Sequence, residues 1–280
     1  MSAPAAAMPG FRQRGGLEFL TWPVFGPLPV DVVVTTRHGG VSAGGYATLN
    51  LSFQVGDDPE AVLANRQRVA AALGTGLGDF VFAHQVHGSD AAIVSAADRG
   101  RGAHRPGDAV PGADALVTAD PGTVLAVLVA DCVPVVLYDP AAHVLACVHA
   151  GWRGTAARVG AAAVAAMRSL GCRPGDIIAG LGPAIGPGSY RVGGNVIGEV
   201  RRALGAGAGQ VLRPDGAGTA LLDLWAANRL ILRETGIPAG QIHVAAVPTG
   251  PGPGRFFSHR AGQPCGRFAL VARLAPRAGP

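Results

Sequence analysis

The sequence predicts a single domain of mixed α and β structure. Apolar, β-branched runs such as residues 124–138 are typical of buried strands, whereas the alanine-rich stretch 155–170 is typical of a helix. The chain shows no internal repeat and no clear linker, and a hydrophobic fraction of 49% against a charged fraction of 15% provides ample material for a core. We therefore expect one domain over residues 17–280, preceded by a disordered extension over residues 1–16.

The charge pattern excludes several classes of function. The net charge of +5 is spread along the chain without a basic tract, so nucleic acid is not an expected partner. The chain contains no lysine, which rules out a Schiff-base lysine and a phosphate-binding P-loop. All 23 residues counted as lysine or arginine are thus arginines, which suit small acidic ligands such as phosphates.

Location is predicted from the N-terminus, the apolar runs and the cysteines. The N-terminus lacks the charged segment and apolar core of a signal peptide. The longest apolar run is interrupted by Asp131 and is too short to span a membrane. Four cysteines show no CxxC spacing, so we expect them to be reduced and the protein to be cytoplasmic, without membrane association.

The N-terminal half predicts strands around one helix. Residues 30–36 are β-branched and lead into a glycine-rich turn at Arg37. An N-cap candidate and a proline within residues 57–60 predict a helix that runs to about Gly74. The remaining elements are strands at residues 80–87 and 114–118, separated by a polar loop at residues 95–112.

The C-terminal half predicts three helices and three strands joined by glycine- and proline-rich loops. The predicted helices cover residues 155–170, 194–204 and 222–235. The predicted strands cover residues 177–181, 241–247 and 266–271. The predicted loops cover residues 182–190, 250–254 and 255–260.

Residues 124–155 are the most informative stretch. Two apolar runs flank the turn signal DPAA at residues 139–142, which predicts a hairpin. If the turn is centred on its first proline–alanine bond, Cys132 pairs with His149, and directly opposed Cβ atoms lie roughly 4.5–5.5 Å apart. That separation suits two ligands of one metal ion, or a thiol and its base. Pro134 lies inside the first run and predicts an edge strand or a bulge there.

His87 is the best candidate for a third partner. Side chains alternate along a strand, so His84 and His87, an odd number of residues apart, point to opposite faces of the predicted strand. His87 is followed by Gly88 at the strand's end, where functional residues tend to lie. We therefore expect His87 in the site and His84 in a core or surface position.

The set His87, Cys132 and His149 is suitable for zinc. Nitrogen and thiolate sulfur are ligands that zinc prefers, and three protein ligands leave a fourth position open for water or substrate. The alternative is a small buried cysteine beside a hydrogen-bonded core histidine. A further possibility is a metal-free pair in which Cys132 is a nucleophile and His149 its base.

Two arginines at strand ends predict an anion site. Arg37 and Arg153 both lie in glycine-rich turns, and Arg153 also lies at a predicted helix N-terminus. The alternative for each is an ordinary surface arginine. Asp131, beside Cys132, is predicted to act as an acid or base or to orient a ligand, unless it caps a turn.

Seven motifs resemble, in order, those of one bacterial family. They are TTRHGGVSAGGYATLNLS, HQVHG, ADALVT, ADCVPVVLYDP, VHAGWRGT, LGPAIGPGSYRVG and FFSHR…GR, over roughly residues 30–273. The family has long been labelled polyphenol-oxidase laccase-domain proteins, and its members are also called peptidoglycan editing factor. The combination of ADC and HAGWRG with an upstream QVHG is highly specific to it.

The resemblance implies a fold, a ligand set and substrate contacts. The fold is of the α+β class, a single layered α-β-β-α domain with mixed sheets. The family's zinc ligands fall on the same two histidines and cysteine chosen above. Arg37 and Arg153 match positions expected near the phosphate or the ribose, and we expect Asn50, in the first motif, to contact the substrate with them.

The resemblance further implies a zinc-dependent purine nucleoside phosphorylase. Such an enzyme splits adenosine, inosine or S-methyl-5′-thioadenosine with phosphate, giving the base and the pentose 1-phosphate. Adenosine deamination at the same zinc is implied as a side activity. Asp131 is our expected proton carrier, because no glutamate lies near the motifs, and Cys132, Arg37 and Arg153 complete the predicted catalytic set. Copper is a possible substitute for zinc.

Three alternatives stay open at this point. A four-copper laccase needs about ten histidine ligands, whereas the chain has eight histidines in all. A metal-free Cys–His hydrolase uses the same residues and differs only in metal content. A third alternative is a non-catalytic protein that binds the cell-division or envelope apparatus. The clustered candidate metal ligands give this alternative no support.

Overall fold

Two six-stranded sheets form the centre of the fold in a computed structural model that describes residues 8–250 and 254–276. The first sheet has the order β1 (Gly10–Arg14), β2 (Leu17–Thr21), β3 (Val30–Thr35), β15 (Phe268–Leu274), β7 (Val124–Val129), β4 (Phe80–Phe82). The second has the order β14 (Ile242–Val244), β10 (Ile178–Leu181), β8 (Val133–Asp139), β9 (Val144–Ala150), β6 (Ala115–Thr118), β5 (Ala91–Ile93).

A smaller sheet and five α-helices are the remaining strands and α-helices of the described residues. The small sheet has the order β11 (Arg191–Gly193), β13 (Thr219–Leu222), β12 (Leu212–Pro214). The helices are α1 (Pro59–Ala72), α2 (Trp152–Ala156), α3 (Val159–Ser169), α4 (Gly194–Leu204) and α5 (Leu224–Glu234). No helix in this part of the chain has the length and apolar character needed to cross a membrane.

The two large sheets pack face to face, and helices cover their outer faces. Side chains alternate along a strand, so those of β8 point to two different cores. Val136 and Tyr138 lie in the core between the sheets. Val135 and Leu137 lie in the core beneath α3 and α5. The side chains of β7 also alternate between two cores. Val124 lies in a third core, which includes residues of α1. The predicted α-β-β-α fold class is confirmed.

Capping residues in the sequence predicted where several helices begin. The side chain of Asp58 accepts a hydrogen bond from the Glu60 backbone N–H at 3.0 Å, and Pro59 occupies the first helical position of α1. Asp223 caps α5 in the same way through the Ala226 N–H. The predicted helix at residues 194–204 coincides with α4.

The predicted disordered extension over residues 1–16 is wrong at its C-terminal end. Residues 1–7 lie outside the described residues, but β1 pairs antiparallel with β2 from Gly10 to Arg14. The Arg14 guanidinium also donates to Asp31 at 2.8 Å and to the Leu73 carbonyl at 2.8 Å. These long-range contacts tie a polar strand to the sheet, and local sequence does not reveal them.

The long apolar run is two strands in different sheets. Strand β7 belongs to the first sheet and β8 to the second, and residues 130–132 cross between them. Asp131, in this crossing, has a left-handed backbone conformation with φ 82°. The interruption of the apolar run at Asp131 therefore marks a change of sheet.

The hairpin register differs from the predicted one by two residues. Pro134, rather than Cys132, lies opposite His149. The side chain of Asp139 accepts hydrogen bonds from the Ala141 and Ala142 N–H groups at 2.8 and 3.0 Å, and this stabilises a longer turn whose centre lies one residue further along the chain. A two-residue shift preserves the face of every side chain.

Pro134 lies in an interior strand rather than in the predicted edge strand or bulge. Strand β8 pairs with β9 on one side and β10 on the other. The Gly182 N–H donates to the Pro134 carbonyl at 2.8 Å, and the indole N–H of Trp225 donates to the Gly182 carbonyl at 2.8 Å. The indole therefore supplies the donor that proline lacks.

One predicted strand is shorter than expected, and one predicted helix is divided in two. The strand at residues 80–87 ends at Phe82, so His84 and His87 lie in a loop and the parity argument for choosing between them was wrong. The predicted helix at residues 155–170 divides into α2 and α3, because Arg158 adopts a left-handed conformation with φ 63°.

Candidate metal centre and active site

His87, Cys132 and His149 lie together although three separate segments carry them. Cys132 ends the crossing between the sheets, His149 lies near the end of β9, and His87 lies in the loop after β4. One potential ligand atom from each lies within 4.8 Å of the others, and this is the one group of three or more such side chains among the described residues. The two imidazole rings meet edge to face with centroids 4.7 Å apart.

Asp114 holds one of these ligands by its side chain. Its carboxylate Oδ1 lies 2.7 Å from Nδ1 of His149, and both side chains are almost fully buried. This contact leaves Nε2 of His149 for a metal ion. Carboxylates commonly orient metal-binding imidazoles in this way. Asp114 was predicted only as the first residue of a strand, without a role in the site.

The cysteine and histidine form a coupled acid–base pair in the metal-free protein. Burial by itself would raise the pKa of Cys132, but His149 and His87 lower it to about 6. Burial would also lower the pKa of His149, and the charges of Cys132 and Asp114 outweigh that effect and raise it. The lowered pKa favours the thiolate, the form of cysteine that binds metals and acts as a nucleophile.

The residues present fit a metal ion. A Cβ atom at Gly151 would lie 2.8 Å from Sγ of Cys132 and 3.2 Å from Cδ2 of His87, so glycine alone leaves this space free. One thiolate and two imidazoles form a donor set that both zinc and copper accept. The geometry thus supports a metal centre without deciding the metal.

A cavity of about 520 Å³ lies over the cluster. This volume is within the usual range for small-molecule sites, roughly 300–1,000 Å³. The polar and aromatic side chains on its wall include Gln85, His87, Asp131, Cys132, His149, Trp152, Arg153, Tyr190, His259, Arg260 and Arg267. The cluster is therefore open to a ligand of nucleoside size.

Three arginines on the cavity wall lack an acidic partner. No ion pair among the described residues includes Arg153, Arg260 or Arg267. Arg153 lies over the Trp152 ring with its Cζ atom 4.5 Å from the centroid, and Arg260 lies over the Tyr190 ring at 4.9 Å. These stacked guanidinium groups make the cavity suitable for an anion.

Arg37 and Asn50 do not lie on the cavity wall. The Arg37 guanidinium donates to the Ala47 carbonyl at 2.7 and 2.9 Å and lies over the Phe257 ring. Asn50 is fully buried, and its side-chain oxygen accepts the backbone N–H of Arg267 at 2.9 Å. Both residues stabilise the loops around the cavity, and Asn50 positions one of its arginines.

Asp131 lines the cavity but uses both carboxylate oxygens elsewhere. Oδ1 accepts the Thr249 hydroxyl at 2.5 Å, and Oδ2 accepts the backbone N–H of Arg260 at 2.7 Å. Its left-handed backbone turns the side chain toward the loop that carries Arg260. In this arrangement Asp131 anchors that loop.

Arg260, Arg267 and Tyr190 were not predicted as site residues. All three lie within motifs that carried the family resemblance, LGPAIGPGSYRVG and FFSHR…GR. That position was the only signal in the sequence, because these residues lie far along the chain from the hairpin. The fold brings them to the same cavity.

Fold and cluster together define a layered α-β-β-α protein with a His–Cys–His cluster suited to a metal ion in an arginine-lined cavity. The chain belongs to the family described as multi-copper polyphenol oxidoreductase laccase, whose sequence model matches residues 31–275.

Relatives of known name and structure agree with this assignment. The chain is 41% identical over 228 residues to purine nucleoside phosphorylase YlmD of Geobacillus stearothermophilus, covering 81% of this chain and 83% of the relative. It is 42% identical over 255 residues to a purine nucleoside phosphorylase of Deinococcus radiodurans, covering 90% and 92%. The crystal structure of the Geobacillus YlmD superposes with a TM-score of 0.90 at 37% identity, covering 95% of this chain and 99% of that one.

Proposed function

We propose that this protein is a zinc-dependent purine nucleoside phosphorylase with a second, adenosine deaminase activity. In phosphorolysis, a phosphate oxygen bonds to C1′ of the ribose while the C1′–N9 bond breaks and the base leaves with the electron pair. The observation that carries the proposal is one cavity wall that holds both the His–Cys–His cluster and three arginines without acidic partners. The names of the Geobacillus and Deinococcus relatives support the same activity.

The arginines suit the phosphate. Inorganic phosphate is a mixture of monoanion and dianion at neutral pH, and guanidinium groups bind its oxygens through charge-assisted, often bidentate hydrogen bonds. Arg153 lies in α2, whereas Arg260 and Arg267 lie in the connection between β14 and β15, so together they can hold the phosphate from two sides in one orientation toward the ribose. Fixing the two reactants in this way supplies much of the catalytic effect in a reaction of this kind.

Tyr190 is suited to bind the leaving base. Burial first, and then the negative charge of Cys132, raise the pKa of Tyr190 to about 12. The phenol keeps its proton at neutral pH, as tyrosine ordinarily does, and can donate a hydrogen bond. A donor near the purine would stabilise the charge that develops as the base leaves.

We propose zinc rather than copper as the metal. His87, Cys132 and His149 would hold the ion, which when bound supplies Lewis acidity toward the substrate. A blue-copper site adds a weak axial ligand, commonly methionine. Among the described residues Met8 is exposed and Met167 is a buried core residue of α3, so neither can act as that ligand.

Adenosine deamination is the second proposed activity. It needs water in place of phosphate and fits the same cluster, because zinc deaminases also combine histidine and cysteine ligands with a proton carrier. Asp131 stays our candidate for that carrier on the cavity wall. We further propose a cytoplasmic location, supported by four free cysteines, which are typical of a reducing compartment.

The test is an assay of purified protein with adenosine, in the presence and absence of phosphate. We expect adenine and ribose 1-phosphate only when phosphate is present, and inosine in both cases. Protein stripped of metal should lose both reactions and regain them with one equivalent of zinc. Hydrolytic activity that survives complete metal removal would favour the Cys–His hydrolase, and absence of base release with phosphate would refute the proposal.

A further inference from the structure

The Asp114 carboxylate lies at the junction of the two elements that carry the histidine ligands. It immediately precedes β6 and is fully buried. Its backbone carbonyl accepts the N–H of His149 at 2.8 Å, which attaches this position to β9. A buried carboxylate needs several hydrogen-bond donors to be stable in such a position.

Four donors converge on this carboxylate. Oδ1 accepts Nδ1 of His149 at 2.7 Å and the backbone N–H of His87 at 3.1 Å. Oδ2 accepts the backbone N–H groups of Gly88 at 2.6 Å and Val86 at 3.2 Å. Three successive N–H groups thus surround one carboxylate, an arrangement that proteins otherwise use to bind external anions.

This arrangement explains the conformation of the His87 loop. His87 has a left-handed backbone with φ 61°, which a residue with a side chain adopts less readily than glycine. Turning the chain in this way allows the N–H groups on either side of it to point at the same carboxylate. The loop carries no strand hydrogen bonds at His87, so Asp114 supplies its main attachment there.

We propose that Asp114 is the positioning residue that presets the metal centre. It fixes the ring of His149 through Nδ1 and the loop of His87 through the backbone, so two ligands from different segments share one anchor. The third ligand, Cys132, is carried by the crossing between the sheets and has no bond to Asp114. The inference rests on the proposed metal-dependent function.

Asparagine tests the inference with little change of shape. Asp114→Asn keeps one acceptor oxygen but replaces Oδ2 with an NH₂ group. That group cannot accept the hydrogen bonds from the Val86 and Gly88 N–H groups. Asp139→Asn is the matched control. Asp139 is also a buried carboxylate bonded to several backbone N–H groups, but it ends β8 at the β8–β9 turn and is hydrogen-bonded to none of the three candidate ligands.

The experiment measures zinc affinity of folded, metal-free protein by competition with a chromogenic chelator. Asp114→Asn should weaken zinc binding by roughly 10- to 100-fold, and Asp139→Asn should leave it unchanged even if its melting temperature falls. The sulfur-to-metal charge-transfer band of cobalt-substituted protein should persist in Asp114→Asn, because Cys132 is not held by Asp114. Unchanged affinity in Asp114→Asn, or equal losses in both variants, would overturn the inference.

A measurement on the unaltered protein covers the case in which the variant fails to fold. Nitrogen NMR of zinc-loaded protein should show His149 protonated at Nδ1 and metal-bound at Nε2, and the reverse assignment would overturn the inference. Wild-type protein that binds no metal would overturn both this inference and the proposed function. Wild-type protein that binds zinc, with Asp114→Asn unaffected, would overturn the inference alone.

Discussion

Replacing Arg153 with alanine should separate the two purine reactions. Arg153 lies on the cavity wall, is exposed, and has no acidic partner among the described residues. Its visible contact is the stacking on Trp152, which at an exposed position is worth roughly 0.5–1 kcal/mol. The variant should therefore fold normally, and its defect should reflect the loss of a phosphate contact.

The size of that defect follows from the strength of one charged hydrogen bond. Such bonds contribute about 1.5–3 kcal/mol, and each 1.36 kcal/mol corresponds to a factor of ten in rate. Arg153→Ala should therefore lower kcat/KM for phosphate by roughly 10- to 150-fold, mainly through a higher KM for phosphate. Deamination of adenosine should change little, since it uses no phosphate.

The assay follows adenine and inosine together over a range of phosphate concentrations, with zinc content measured on the same samples. Arg168→Ala is the control, because it removes an equivalent exposed charge from the end of α3, outside the cavity. Equal losses of phosphorolysis and deamination in Arg153→Ala at full zinc content would refute the reasoning. They would mean that Arg153 holds the nucleoside or the local fold.

Three further predictions concern the metal cluster. Cys132→Ala should reduce bound zinc well below one equivalent and abolish both reactions, and retained zinc with retained activity would exclude Cys132 as a ligand. In metal-free protein the pKa of Cys132 is lowered to about 6. Its alkylation by iodoacetamide should therefore reach half-maximal rate near that pH and not near 9. A midpoint near 9 would contradict the lowering of the Cys132 pKa by His149. With copper equal to protein, oxygen uptake on a phenol should stay at background, whereas sustained turnover after removal of loose copper would restore the laccase interpretation.

Several individual strands and helices could be predicted because they depend on local patterns, whereas the layered arrangement was implied by the family resemblance. Alternation along β8 assigns its side chains to two cores without any knowledge of its neighbours. The caps of α1 and α5 are set by Asp58 and Asp223, which act within one turn of chain. The β1–β2 pair was missed because the contacts of Arg14 with Asp31 and Leu73 are distant in sequence.

The cluster was found from motifs and spacing, although two steps of the geometry were wrong. The predicted register placed Cys132 opposite His149, whereas the turn capped by Asp139 shifts the pairing by two residues. Because the shift is even, it leaves His149 on the expected face, and Cys132 still lies beside it at the end of the crossing. His87 joins the cluster through a loop attached to Asp114, and a strand-parity argument cannot describe that attachment.

The anion-binding side of the cavity could not be derived from spacing. Arg260 and Arg267 lie more than one hundred residues beyond the hairpin, and only the return of β15 into the first sheet brings their loop to Cys132. Asn50 is a second residue whose contacts could not be derived from spacing. It was expected to contact substrate, but its side chain instead accepts the Arg267 N–H from inside the fold.

Asp131 provides a test of whether the acidic residue beside the His–Cys–His cluster transfers protons or positions a neighbouring loop. Its Oδ2 accepts the Arg260 N–H at 2.7 Å, and its Oδ1 accepts the Thr249 hydroxyl at 2.5 Å. Asparagine tolerates the left-handed backbone that Asp131 adopts. Asp131→Asn should therefore fold and loosen the loop that carries Arg260.

If Asp131 acts through that loop, its effect and that of Arg260 are not independent. Asp131→Asn and Arg260→Ala should each raise KM for phosphate, and the double variant should be no worse than Arg260→Ala alone. Residues that act through one contact typically show coupling of roughly 0.5–3 kcal/mol. If Asp131 instead carries the proton in deamination, Asp131→Asn should abolish inosine formation at saturating adenosine while Arg260→Ala leaves it intact. Strictly additive effects on KM for phosphate would exclude the anchoring role, because two residues that hold the same anion through one loop cannot contribute separately.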